Sequence, residues 1–396
     1  MREVPFTELV EVNPRASVAR RGSVPFIGME DVSEDGRLLR IRERPIAELA
    51  PGQPSFRNHD VLFAKITPCM ENGKGAYVTG MDGEVGLGST EFHVLRARPG
   101  TEPRFVYHWT RSCRLRQAAE AMMTGSAGQR RVSKEFFTRF RIPLLEQAEQ
   151  RRIAEILDTI DEQIRAAERL VGKLEDVYAS IVRDQLARIS DCVSSTVGAL
   201  FDMQPGITLG PHRKPRKNAH GYLRVANVQR GFIDLSDVAS LEASLDDRQR
   251  WALQTGDLLV VEGHASPDEI GRCAMVDRDS EGLLYQNHLF RLRTRSIIPE
   301  FGLLWLNSDA VRSYWRKMCA TSSGLYTING RMLSQMPFPV PTLEQQLHIV
   351  RIHADLTAKI KQERSRLAKL RLLKQGLMDD LLTGRVRVPV GAGDSE

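Results

Sequence analysis

The chain has 396 residues and a mass of 44.6 kDa, enough for two or three domains with real cores, and its 41% hydrophobic and 27% charged residues describe a globular rather than a disordered protein. Lys plus Arg total 56 against 50 for Asp plus Glu, a net charge of +6 that is compatible with a polyanionic partner without demanding one. No apolar run is long enough for a transmembrane helix, MREVPFTELV is not a secretory leader, and five scattered cysteines without a CxxC pair exclude a disulfide framework or zinc knuckle, so a cytoplasmic chain is expected.

In chain order, the first elements are short β-type runs at Val61–Ala64, Ala76–Val78 and Phe92–Arg96, bounded by Gly, Pro, Asn and Asp as strands are. A helical stretch follows near Phe105–Met123, and Pro143 closes the segment because proline removes a donor and biases its predecessor to extended geometry. The period then changes. Ile153, Leu157, Ile160, Ile164, Ala167, Val171, Leu174, Tyr178 and Ile181 alternate spacings of four and three, the a/d seam of a coiled-coil helix. Next comes His212–Lys217 (HRKPRK), the densest positive cluster, which Pro205-Gly206 and Pro211 make a loop. β-type runs return at Leu258–Val261, Ala274–Val276 and Phe290–Leu292, then a helical stretch at Phe301–Met318 that ends before Pro339 and Pro341. A second seam, Ile349, Leu356, Ile360, Leu367, Leu370, Leu377 and Leu381, is interrupted by His353, Glu363 and Lys374. A disordered tail is expected over 385–396.

The two halves are copies of one unit. RFVYHW (104–109) lines up with EFGLLW (300–305), TGSAGQRRVS (124–133) with ATSSGLYTIN (320–329), and RIPLLEQAEQRRI (141–153) with PFPVPTLEQQLHI (337–349), all at one offset. FIGMEDV (26–32) with YLRVANV (222–228), HDVLFAK (59–65) with GDLLVVE (256–262), GKGAYV (73–78) with GRCAMV (271–276) and FHVLRAR (92–98) with LFRLRTR (289–295) keep the same order. The expected class is α+β: a mixed globule over 1–145, a helix over 146–190, a second globule over 191–341 and a second helix over 342–384. Paired antiparallel, helices of roughly 35–40 residues reach about 55 Å and hold the globules at opposite ends as a spacer. The alternative is two independent amphipathic helices, each covering its own globule. The interrupting polar residues either fix the register or face solvent.

Catalytic motifs are missing. There is no P-loop, because Gly73-Lys74 lacks the upstream glycine, and Gly86-Leu-Gly88 has no βαβ context for a dinucleotide. No GxSxG elbow, amino-methyltransferase [DN]PP[YF] tetrapeptide or metal-ligand spacing occurs. Asp60 with Lys65, or Asp257 with Glu262, is the nearest approach to a nuclease constellation, and both sit at ends of strand-like runs. The expectation is a non-catalytic chain binding no metal or cofactor of its own.

Basic and polar residues gather in loops of both copies. GSAGQRR (125–131) carries Ser126, Gln129, Arg130 and Arg131, and its counterpart TSSGLY (321–326), with the residues after it, carries Ser322, Ser323, Tyr326, Asn329 and Arg331. KITPCMENGK (65–74) and HASPDEIGR (264–272) add Lys65, Asn72, Lys74, His264 and Arg272; the basic tract adds Arg213, Lys214, Arg216 and Lys217. Small residues let a backbone approach phosphates, and Gln, Asn and Arg hydrogen-bond base edges in pairs. The plain alternative for each loop is a solvated surface.

With these residues in view, the chain resembles the specificity (S) subunit of type I restriction-modification systems over nearly its whole length. A TSG-type loop, a Pro-rich strand end and an L-E-x-Q-like helix start appear as Thr124–Gly128, Pro143 and Glu149-Gln150, and again as Thr321–Gly324, Pro339/Pro341 and Leu343–Gln346. YLRVANVQRGFIDL (222–235) is a typical opening of such a domain, whereas residues 1–25 lack a counterpart to the Gly-rich stretch Gly206–Gly210. The resemblance implies two target recognition domains, each reading one half of a split double-stranded DNA sequence, with helices that set the gap. It implies two methyltransferase (M) subunits as partners, with S-adenosylmethionine in them, and commonly two motor-nuclease (R) subunits with ATP and Mg. On that reading Gln129, Arg130, Arg131 and Lys74 read one half-site, and Ser322, Ser323, Tyr326, Asn329 and Arg331 the other. The competing classes are a coiled-coil protein scaffold without DNA readout and a self-sufficient Mg-dependent endonuclease.

Overall fold

The two seams and two strand sets become two units in the computed structural model, which describes residues 2–17, 22–49, 51–81, 85–126, 128–189, 192–319 and 326–389. One unit is Met1–Arg169 with Arg364–Glu396; the other is Leu170–Glu363.

In the first unit the strands are β1 (Glu3–Pro5), β2 (Val10–Val12), β3 (Ser23–Ile27), β4 (Arg42–Pro45), β5 (Ser55–Phe56), β6 (Val61–Ala64), β7 (Gly75–Tyr77), β8 (Gly86–Gly88) and β9 (Phe92–Ala97). Eight of them, β2 to β9, form two four-stranded sheets, ordered β2-β9-β6-β7 and β4-β3-β8-β5. All four residues of β6 are buried, as befits an apolar strand with neighbours on both sides. Helix α1 (Pro103–Arg111) opens on a proline and is capped by Glu102; Ser112 then caps α2 (Cys113–Ala121) by accepting from Leu115 N, satisfying donors the first helical turn leaves free. The short α3 (Glu135–Arg139) leads to β10 (Arg141–Pro143), which pairs with β1, and then to the long helix α4 (Gln147–Ile189). The core joins Phe6, Phe105, Trp109, Phe136 and Phe137 to Ile153 and Leu157 of α4, and to Met378, Leu381 and Leu382 from the end of the second long helix.

The second unit repeats this plan with β11 (Ser194–Thr196), α5 (Val197–Leu200), β12 (Phe201–Pro205), β13 (Ala219–Leu223), β14 (Ala239–Glu242), α6 (Leu245–Trp251), β15 (Leu258–Val261), β16 (Gly263–His264), β17 (Cys273–Met275), β18 (Leu284–Tyr285) and β19 (Leu289–Thr294). After them come α7 (Pro299–Leu306), α8 (Asp309–Met318), β20 (Tyr326–Thr327), α9 (Gly330–Gln335), β21 (Pro337–Pro339) and the long helix α10 (Leu343–Leu381). The sheet β12-β19-β15-β17 matches β2-β9-β6-β7, and β11 pairs with β21 as β1 does with β10. The opening residues therefore do have structural counterparts in the second copy, although their sequences hide it. Leu186 and Ile189 of α4 and Ile349 of α10 enter the second core beside Phe201, Phe301, Trp315 and Phe338.

Three buried polar keys recur at equivalent positions. Asp60 takes Arg57 N and a two-bond fork from Arg96; Asp257 takes Gln254 N and the same fork from Arg293. These aspartates, the nearest approach to a nuclease site in the sequence, are thus tied to structural arginines. Gln150 accepts from Glu102 N and donates to Leu145 O, and Gln346 does likewise with Ile298 N and Pro341 O. Asp31 and Asn227 each accept from the backbone N–H three residues before them.

The long helices pack against each other. In the first unit Ile160, Ile164 and Ala167 of α4 meet Leu367 and Leu370 of α10. Asp161 receives Lys374 at 2.6 Å, Glu168 receives Arg371 at 2.8 Å and Glu149 receives Arg387 at 2.7 Å, contacts whose numbering runs in opposite directions, as an antiparallel pair requires. In the second unit Tyr178 Oη lies 2.7 Å from His353 Nδ1. Of the seam, Val171 and Ile360 are buried, while Leu174, Ile181, Leu356 and Leu377 are half-buried. Arg387 and Val388, inside the expected tail, hydrogen-bond Glu149; residues 390–396 lie outside the described residues.

Candidate nucleic-acid interface

In the first globule β6 leaves its sheet at Lys65, whose N–H donates to Glu91 O and whose carbonyl accepts from Val132 N. This draws the loops 65–74 and 124–132 together, with isolated bridges from Arg131 to Ile66 and to Thr124. Arg131 then folds onto Glu91 through Nε at 3.0 Å and Nη2 at 2.8 Å, and Arg130 reaches Glu71 at 2.7 Å. The bonds from Arg131 hold the Glu91 carboxyl below its ordinary range against the opposing effect of burial, so both members stay charged at neutral pH. Ser126 and Gln129 are exposed on the same loop.

Lys74 and Asn72 point elsewhere. Lys74 Nζ donates to Met29 O at 2.9 Å and Asn72 Nδ2 to Glu34 Oε1 at 3.0 Å, away from the Arg130–Arg131 strip. Between them Gly73 adopts a φ of +89°, and a β-carbon there would lie 2.5 Å from Glu34 O, so only glycine closes this turn without strain. The structure thus brings Lys65, Gln129, Arg130 and Arg131 together and turns Asn72 and Lys74 to the flank.

In the second globule the same frame returns. Glu262 N donates to His288 O, Ile328 N donates to Glu262 O, and Gly263 and His264 pair with Thr327 and Tyr326. His264 accepts from Ser266 N, and Asn329 caps α9 by accepting from Met332 N, while Arg331 is exposed. Arg272 is buried and committed to Glu269 and Val225 O. Ser322 and Ser323 lie outside the described residues.

In the basic tract, Arg213 turns inward to Asp247 and Glu242 O, and its hydrogen bond holds the Asp247 carboxyl down at about 2. Glu242 accepts from the backbone N–H groups of Arg216 and Asn218. With the loop pinned from below, Lys214, Arg216 and Lys217 are exposed, and no side-chain hydrogen bond or ion pair engages them among the described residues. That is the arrangement for phosphate contact.

The pattern of cations concealed Glu71, Glu91 and His288, and Glu262 drew notice only as a possible nuclease partner of Asp257. Their only signal was position, next to strand ends that the repeat makes equivalent. A further cluster, His108, Asp158 and Asp161, has metal-ligand chemistry, but Arg104 and Lys374 already neutralise its carboxylates. No helix among the described residues is long and apolar enough to cross a membrane.

Comparison with known proteins bears on this geometry. The family model of the type I restriction modification DNA specificity domain matches residues 13–175. The chain is 25% identical over 319 residues to the specificity subunit of the type I restriction enzyme EcoKI from Escherichia coli K12, a match covering 74% of this chain and 68% of that one. It is 31% identical to the EcoEI and EcoAI specificity subunits of Escherichia coli over 48% and 47% of this chain, but only 32% and 35% of theirs. Among solved structures, a chain described in connection with complex assembly and conformational transition of the type I R-M system aligns with TM-score 0.63 and 18% identity over 97% of this chain and 98% of that one. The HsdS subunit of Thermoanaerobacter tengcongensis aligns with TM-score 0.57 and 18% identity over 97% of each chain. The duplicated globules, the two long helices and these matches agree: residues 13–175 match a type I restriction modification DNA specificity domain, and the chain as a whole is similar in sequence and fold to the specificity subunits of type I restriction-modification systems.

Proposed function

We propose that each globule reads one half of a split DNA target, that the paired helices set the gap between the halves, and that the chain docks two methyltransferase subunits and two motor-nuclease subunits, which carry S-adenosylmethionine, ATP and Mg. The observation that carries this reading is the repeated frame of β6–β9 and β15–β19, which presents different polar side chains at the same backbone positions. Two readers for two unlike half-sites need that combination. The exposed cations of 214–217 supply sequence-independent phosphate attraction, and the loops beside Lys65 and Glu262 supply base contacts.

The test is to co-express the chain with a cognate adenine methyltransferase subunit and map modified adenines across the host genome. A split motif with a fixed gap is the expected result, and exchanging residues 1–145 for those of a relative changes one half only. A stable complex of both proteins that leaves no new methylation overturns the reading in favour of a scaffold.

A further inference from the structure

The two globules carry opposite charge at one equivalent point. β6 and β15 pair with β9 and β19 in the same register, ending in Ala64 opposite Phe92 and Val261 opposite Leu289. The next residue in each makes the same two backbone bonds, Lys65 with Glu91 and Val132, Glu262 with His288 and Ile328. Lys65 therefore stands where Glu262 stands, Glu91 where His288 stands, and Arg131 where Thr327 stands.

The side chains differ in what they leave open. In the first globule Glu91 is occupied by Arg131, and Lys65 Nζ has no hydrogen-bond partner among the described residues; Lys65 borders an open hollow of about 650 Å³ with Asn13, Ser55 and Thr90 on its walls. Arg131 also sends Nη1 to Gln129 O, which fixes the plane of its guanidinium. In the second globule Glu262 Oε2 lies 2.6 Å from His288 Nδ1, and Oε1 has no partner among the described residues. The Glu262 side chain is 25% exposed and that of His288 61%.

Resting on the DNA-reading function above, we propose that these equivalent points are specificity-determining positions of opposite polarity: Lys65 with Arg131 reads an acceptor edge, and Glu262 with His288 reads a base that offers an amino group. Lys or Arg matches the O6 and N7 acceptors of guanine in the major groove, whereas a carboxylate accepts from the N4 amino group of cytosine or the N6 amino group of adenine and repels guanine's acceptors. Repulsion matters as much as attraction, because discrimination is a difference between two affinities.

The test uses the complex with the methyltransferase subunit and the same genome-wide map, comparing wild type with Glu262→Gln, the exchange Glu262→Lys, and Lys65→Gln. Glu262→Gln keeps one acceptor and adds a donor, so preference at one base pair of the second half-motif drops roughly ten- to hundred-fold while the first half is unchanged. Glu262→Lys shifts that base pair toward guanine, and Lys65→Gln relaxes one base pair of the first half alone. Thermal unfolding of each variant accompanies the map, and Lys65→Gln, a half-buried change on a separate globule, answers the question if the Glu262 variants do not fold. Both half-motifs intact in a methylating Glu262→Gln or Lys65→Gln complex overturn the assignment. No split motif in the wild type instead overturns the DNA-reading function itself.

Discussion

Asp158 on α4 accepts from Arg104 Nε at 2.9 Å and from His108 Nε2 at 2.8 Å. Burial opposes its charge, but the bonds from His108 and Arg104 prevail and hold the carboxyl at about 2, below its ordinary 3.8. A depressed carboxylate stabilises the fold above its unfolded value and loses that contribution as pH falls through the folded one. The unfolding temperature is therefore expected to drop between pH 4 and pH 2, and Asp158→Asn to flatten that part of the curve. The contribution at neutral pH is about 1–2 kcal/mol once solvent screening of this half-exposed group is allowed for. Thermal unfolding followed across pH checks it; a variant with the wild-type acid limb refutes it. His108 adds a separate loss below about pH 6.5, because burial lowers its folded pKa and acid charges it first in the unfolded chain.

At the scale of elements, the helix pair depends on few apolar contacts. Leu367 is 9% exposed against Ile164 and Ala167, while Leu372, on the same helix, is 69% exposed. Leu367→Ala is expected to cost about 2–4 kcal/mol and Leu372→Ala almost nothing; urea midpoints of the two variants check this, and equal midpoints refute it. The 3.5-residue period was legible in the sequence and located both helices, yet a period defines a face and does not name what covers it. Ile153 and Leu157 pack into the first globule's core, where the end of α10 joins them through Met378 and Leu381, so the two alternatives raised by the sequence, paired helices and globule-covering helices, each describe part of α4. The wholly apolar strands β6 and β15 were also legible. β1 and β2 were not, since strands of three residues carry almost no alternation and β1 ends in proline. At the site, Lys65, Arg130 and Arg131 were legible as cations and Glu262 only as a possible nuclease partner of Asp257, whereas Glu91 and His288 were not legible, because a carboxylate that orients an arginine looks in sequence like any surface acid.

At the scale of the whole molecule, a net charge of +6 on 396 residues is modest, so the proposed attraction to phosphates rests on where the cations cluster. Lys214→Ala is expected to weaken binding to all sequences alike and to reduce the slope of log affinity against log salt by about 0.9; filter binding of the assembled complex over a salt series measures it, and an unchanged slope removes Lys214 from the phosphate contacts. The first unit, moreover, is built from two distant parts of the chain, Met1–Arg169 and Arg364–Glu396. The first takes Met378, Leu381 and Leu382 into the same core as Phe105 and Trp109, and Arg387 closes over Glu149. On the ribosome, where domains otherwise mature from the N-terminus onward, the part made first is the part that must wait: its apolar surface stays uncovered until some two hundred further residues have emerged. A translation pause within the second globule thus prolongs the exposure of the first, and chaperone dependence should track the speed at which the closing segment is synthesised.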